Sequence, residues 1–153
     1  MQPFYTEDTV LLVSRQLLQT CGIDLAAHRT EIERGDLRSL RGCPFVSGSA
    51  EDITGSLERD AFRRAGFVPE VRAESSNVET LLELCARGVG ACFCPENLAR
   101  LLLAAQPHGR LEMLRMPDMM AYPISFGYAK RAYSWSVLAD FIRIARAQYP
   151  QPA

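Results

Sequence analysis

The sequence predicts an α/β domain built on a mostly parallel sheet with helices on both faces. Three observations carry that expectation. Short apolar runs rich in β-formers recur between stretches of helical periodicity. Two of the helical stretches open on serine capping boxes, and the stretches close near glycine. No repeat, linker or low-complexity tract breaks the alternation across the 153 residues. Strands that alternate with helices call for right-handed crossovers, which lay helices on both sides of a parallel sheet.

Asp8 to Ser14 (DTVLLVS) is an apolar, β-branched run expected as a buried strand. Thr20 to Arg34 is polar and reads as loop with some helix. Cys43 to Ser47 forms a second short strand stopped by Gly48. Ser49-Ala50-Glu51-Asp52 then has the form of a capping box, ahead of Leu57, Ala61, Phe62 and Ala65 at helical spacing and a closing Gly66. Pro69 to Glu74 reads as a strand with proline at its tolerated first position. Ser76-Asn77-Val78-Glu79 is the cleaner capping box, and Val78, Leu81, Leu82 and Cys85 make an amphipathic stripe after it. Gly88-Val89-Gly90 ends that helix, and Ala91 to Cys94 is the next strand. Leu98, Leu101, Leu102 and Ala105 mark a helix closed by Pro107-His108-Gly109. Arg110 to Arg115 and Tyr122 to Tyr128 are two further strands, and Ser134 to about Gln148 is the closing helix.

Composition limits the function. The chain is 48% apolar and 23% charged, enough apolar material for a core and too much for general disorder. Its formal net charge is −1, and every cation except Lys130 is arginine, scattered along the chain. Such a balance lacks the clustered cations that phosphate contacts need, so this part of a protein is not expected to grip DNA. No apolar run approaches the roughly 18–20 residues that span a bilayer, and the N-terminus has no secretion-signal pattern. No membrane partner is expected. Cys21, Cys43, Cys85, Cys92 and Cys94 then read as reduced thiols in a cytoplasmic protein.

Catalytic and metal chemistry finds little support. Val46-Ser47-Gly48-Ser49-Ala50 is not a nucleophile elbow, and only His28 and His108 are available as an imidazole base. Cys92 and Cys94 share one face of a strand, but no second ligand pair accompanies them, so they read as buried apolar residues. No phosphate-binding glycine fingerprint is present. No catalytic residue, metal or cofactor is therefore assigned. What remains is a polar concentration at two helix starts, Ser47 with Ser49 and Ser75-Ser76-Asn77, each following a strand. Helix N-termini offer free backbone N–H groups to an anion, although Ser and Asn are also simply the favoured caps.

From Asp36 onward the sequence resembles the effector-binding domain of LysR-type transcriptional regulators. The carrying residues are Asp36-Leu37, Cys43-Pro44-Phe45-Val46, Asp60-x-Phe62-x-x-x-Gly66-Phe67-x-Pro69, the Ser76 to Leu82 helix start, Gly88-Val89-Gly90-Ala91-x-x-x-Pro95, and Ser134 to Ile142. The resemblance implies the two-lobed fold of type 2 periplasmic binding proteins, with a small molecule held between lobes joined by crossing strands. By position it implies a second lobe at about 15–121, crossing strands at 9–14 and 122–128, and a closing helix of the first lobe at 134–148. Ser47, Ser49, Ser75, Ser76 and Asn77 then fall on the second lobe's side of the effector cleft, facing a small anionic effector. It also implies homodimers, and DNA contact only through a helix-turn-helix for which this chain has no counterpart. The expectation is a ligand-sensing portion truncated at its N-terminus, cytoplasmic and non-enzymatic. A solute-binding fragment of the same fold, or a small enzyme with a Cys or Ser nucleophile, stays open as an alternative.

Overall fold

Val10, Leu11, Leu12 and Val13 are all fully buried, so this part of their strand is covered on both faces. The computed structural model describes residues 1–105, 110–116, 120–129 and 135–149. The chain divides into two units, one of Asp8–Ala121 and one of Met1–Glu7 with Tyr122–Ala153.

In the larger unit the central strand, β1 (Gln2–Ser14), pairs antiparallel with β4 (Cys92–Pro95) on one side and with β5 (Leu111–Arg115) on the other. β2 (Pro44–Gly48) and β3 (Glu70–Ser75) pair in parallel. Ala91 joins the two sheets by a parallel bridge to Phe45, donating its N–H to Pro44 O at 2.8 Å and accepting from Val46 N at 2.9 Å. The spatial order is therefore β3–β2–β4–β1–β5. Since β4 and β5 both oppose β1, they run the same way as each other and as β2 and β3. The expected parallel direction holds for four strands, while β1, predicted only as a buried strand, enters against them.

Alternation along β1 sorts the core into two layers. Leu11 and Val13 face a cluster with Phe45, Phe62 and Phe93. Val10 and Leu12 face the other side, with Leu81, Leu82, Cys92 and Cys94. The first layer is closed by α1 (Arg15–Thr20), α2 (Leu25–Glu33) and α3 (Ile53–Ala65), the second by α4 (Val78–Ala86) and α5 (Glu96–Ala105). Phe62 meets Phe45 edge-on with ring centroids 4.7 Å apart, an arrangement favoured by the ring quadrupoles. Each Val, Leu, Ile, Phe or Met side chain fully buried in these layers stabilises the fold by about 1.5–3 kcal/mol.

The polar stretch from Thr20 to Arg34 is more ordered than expected. Ser14 accepts from Leu17 N to cap α1, and Asp24 accepts from Ala27 N to cap α2. The two later capping boxes are displaced. α3 begins at Ile53, capped by Asp52 and not by Ser49, because Asp52 Oδ1 accepts from Gly55 N at 2.6 Å. A Cβ at Gly55 would lie 2.1 Å from Ser49 O, so glycine there lets the Ser49 turn fold back over the first turn of the helix. α4 is likewise capped by Asn77 and not by Ser76. The closing segment Pro107-His108-Gly109 and the expected helix start at Ser134 lie outside the described residues.

The smaller unit contains β6 (Ala121–Phe126), which pairs with β1, and α6 (Ser136–Gln148). Here β1 extends back to Gln2, further than its apolar run foretold. Phe4 lies 4.5 Å from Phe126 and 5.5 Å from Tyr149, centroid to centroid, so strand pairing and aromatic packing order a polar segment. Val137, Phe141 and Ile144 leave an apolar face of α6 exposed.

Gly90 sits where β4 approaches β2, and a Cβ there would meet Phe45 C at 2.7 Å and Val46 N at 2.9 Å. Gly90→Ala should lower the urea midpoint by the equivalent of about 1–3 kcal/mol, since backbone cannot yield as a side chain can. Gly42→Ala, with nothing within 4 Å, should leave the midpoint nearly unchanged in the same titration.

Candidate functional site

The parallel register of β2 and β3 sets Ser47 opposite Glu74 and Gly48 opposite Ser75. Both strands end at the same level, so the Ser47–Ser49 turn and the Ser75–Asn77 turn emerge side by side at the carboxyl edge of the sheet. Ligands in open α/β sheets bind at that edge, where helix N-termini converge. The edge is thus built by strand pairing, with α3 and α4 both starting from it.

The five residues differ in how their polar atoms are used. Ser49 Oγ accepts from Glu51 N at 3.3 Å, and Ser75 Oγ accepts from Asn77 N at 3.1 Å. Asn77 Oδ1 accepts from both the N–H and the hydroxyl of Thr80, at 2.8 and 3.0 Å. A hydroxyl that accepts still owns its proton, and the Asn77 amide keeps two N–H donors. With one lone pair of each serine engaged in its turn and the Asn77 oxygen engaged in capping, all three residues keep the donors that an anion requires. Ser76 is exposed at the same turn. Ser47 is different: it is buried, and its hydroxyl donates to Glu58 Oε1 at 2.5 Å.

A cavity of about 650 Å³ runs from this edge along the groove between α3 and β3. Ser47, Glu58 and Phe62 form its inner part, Arg59 and Glu74 its charged walls, and Val68 and Val71 its apolar mouth. Glu58 is only 4% exposed, and its Oε2 is buried without a hydrogen-bond partner. Burial pushes its carboxyl up from 4.5 to about 7, against the lowering effect of the Ser47 hydrogen bond. Sequence reasoning missed this residue. The signal was present, because Glu58 falls on the same helical stripe as Gly55, Ala61 and Phe62, where a carboxylate is out of place.

A second, smaller cavity of about 270 Å³ lies beside the middle of β1, between Thr9, Glu96 and Arg115. Glu96 is paired with Arg100 at 2.6 Å and with Arg115, and the Thr9 hydroxyl is buried without a partner. Glu96 and Arg115 lie nineteen positions apart and meet only because β4 and β5 flank β1. No spacing rule would have found them.

Among the described residues no cluster of His, Cys, Asp or Glu is arranged to hold a metal ion. Cys43, Cys85, Cys92 and Cys94 are buried, and burial pushes the Cys43 thiol up to about 12. His28 is paired with Glu31 at 3.2 Å, and His108 lies outside the described residues. No helix among the described residues is long and apolar enough to cross a membrane.

A sheet of this order has the fold of the type 2 periplasmic-binding-protein kind. The LysR substrate binding domain model matches residues 1–150, and the chain belongs to that family. The effector-binding domain of QuiR in complex with shikimate superimposes with a TM-score of 0.58 at 14% identity, over 97% of this chain and 63% of that one. A LysR family regulator from Pseudomonas aeruginosa gives 0.65 at 15% identity, over 98% and 48%. The CcmR regulatory domain of Synechocystis PCC6803 in complex with 2-PG gives 0.60 at 16% identity, over 99% and 68%. At these identities the likeness is one of fold. The chain spans about half to two-thirds of the structures it matches. Comparison with curated proteins finds no match.

Glu58 makes stability depend on pH. Its carboxyl ionises near 4.5 in an open chain and near 7 when folded, so the unfolded state releases its proton first as pH rises. Stability should therefore fall between pH about 4.5 and 7, by on the order of 3 kcal/mol, and level off above. Glu58→Gln should remove that slope, read as the difference in urea midpoints between pH 5 and pH 8.

Proposed function

We propose that this chain is the ligand-sensing region of a cytoplasmic LysR-type transcriptional regulator, taking a small anionic effector at the carboxyl edge of β2 and β3. The supporting observation is the register that brings Ser47–Ser49 and Ser75–Asn77 together, where the oxygens of Ser49, Ser75 and Asn77 accept from nearby backbone N–H groups and leave their own protons to donate. Ser47, Ser49, Ser75, Ser76 and Asn77 supply hydrogen-bond donors, and the N-termini of α3 and α4 add favourable potential. Ligand binding shifts the population between two arrangements of the regulator, and the differential affinity sets the size of the response. DNA is contacted by a separate helix-turn-helix region of the regulator. The crossing strands are 9–14 and 122–128, and α6 belongs to the first lobe, whose remaining apolar surface would cover Val137, Phe141 and Ile144. That similar structures in complex with shikimate and with 2-PG share this fold supports the reading.

Binding without catalysis is also our reading. The Cys43 thiol, buried and held protonated, makes a poor nucleophile, and the Ser47 hydroxyl faces a carboxyl with no imidazole beside it.

Asn77→Asp separates capping from ligand binding. The Asp oxygen still caps α4, while two N–H donors are replaced by negative charge. Combined with Ser76→Ala, it should leave thermal stability within about 0.5 kcal/mol and weaken shikimate binding roughly tenfold or more. Unchanged affinity in calorimetry would overturn the assignment of these residues.

The regulator is expected to act as a homodimer. β3 is the edge of the sheet, with an unpaired row of backbone groups and exposed Val68 and Val71 beside it. A second copy seated there would cover the cavity's apolar mouth. Sedimentation should show a species heavier than the monomer, and Val71→Lys should shift it to monomer; a wild-type monomer at high concentration would remove the proposal.

A further inference from the structure

We propose that Glu58 is a positioning residue which links anion binding at the cleft to the uptake of one proton, by deciding which way the Ser47 hydroxyl donates. The inference rests on the reading of Ser47 as a donor to the ligand. Ser47 and Glu58 are 7% and 4% exposed, and Ser47 Oγ lies 2.5 Å from Glu58 Oε1, so each is the other's immediate partner at the inner end of the cavity. Ser47 has one proton to give. When Glu58 is ionised, that proton is held by the carboxylate, and Ser47 offers the cleft only lone pairs backed by a negative charge. Both repel an anion.

When a proton from solvent neutralises Glu58, the roles reverse. The carboxylic acid donates to Ser47 Oγ, and the Ser47 proton turns to donate to the ligand. The charge behind the site disappears in the same step. Nothing covalent changes; the ligand complex carries one proton more than the ionised free protein.

The surroundings place this exchange in a usable range. Burial favours the acid, while the Ser47 hydroxyl and the Gly48 backbone N–H favour the ionised form. Asp52, in the turn before α3, also disfavours ionisation, while Arg59 favours it. Arg63 and Glu74 are the other charged groups lining the cavity, from α3 and β3. The carboxyl settles at about 7, between an ordinary glutamate and a permanently neutral one.

The test is calorimetric titration of the full chain with shikimate, and with acetate as a second carboxylate, at pH 6 and pH 8. Both probes stay ionised throughout that range. Wild type should bind roughly tenfold more weakly at pH 8, and the heat should vary with buffer ionisation enthalpy as one proton is taken up. Glu58→Gln, whose amide donates to Ser47 at every pH, should bind at both values about as tightly as wild type does at pH 6. Ser47→Ala should bind weakly at both. A wild-type affinity that does not change with pH, or a Glu58→Gln variant that keeps the slope, overturns the inference while leaving the binding site standing. Failure of wild type to bind either carboxylate at either pH overturns the binding reading, and the inference with it.

Discussion

The pairing of β1 with both neighbours is the constraint on which the rest of this structure depends. A strand buried on both faces must find all its hydrogen bonds within the sheet, and β1 does so through an antiparallel register with β4 and with β5. That single reversed strand aligns β4 and β5 in the same direction and, through Ala91, aligns β2 and β3 with them. The carboxyl edge exists because of it: Ser47, Ser75, Glu96 and Arg115 all come to one end of the sheet although they are spread over nearly seventy positions of sequence. The helices follow from the same arrangement, since alternate side chains of β1 supply one buried face for α1, α2 and α3 and another for α4 and α5.

How much of this was legible in the sequence varies with the range of the interaction that decides it. The apolar run at Asp8–Ser14, the stripe Val78, Leu81, Leu82, Cys85 and the helix closing at Gly66 are local patterns, and the elements appear where those patterns lie. The caps were misplaced because Ser, Asp and Asn compete for the same backbone N–H groups, and the winner depends on the turn before the helix. At α3 the turn is set by contact between Ser49 O and Gly55, which a capping pattern does not contain. The segment before Asp8 became strand because β6 and an aromatic cluster await it, contacts more than a hundred residues distant in sequence. The site was half visible. Its serines and Asn77 stand out as polar groups at helix starts, whereas Glu58 matters for where its stripe points, and the Thr9, Glu96 and Arg115 cavity arises only from strand order.

The chemistry at the edge is one of oxygens engaged by the backbone and protons left to donate. The turns draw on Ser49 and Ser75 and the cap of α4 on Asn77, each through an oxygen, so these side chains still have protons to offer. Structural and ligand-facing duties therefore coexist on one side chain, since they use different atoms. The Ser47–Glu58 pair departs from this pattern, because there the proton itself is shared inward.

The bridge at Ala91 has a kinetic consequence. The backbone hydrogen bonds described between the two sheets run through the N–H and the carbonyl of one residue, brought close by the absence of a side chain at Gly90. The amides of Ala91 and Val46 can exchange their hydrogens with solvent only when that seam parts, whereas those of Leu11 and Leu12 must await release of β1. Exchange at the two pairs of positions consequently keeps two clocks, one for the seam beside the binding edge and one for the domain as a whole.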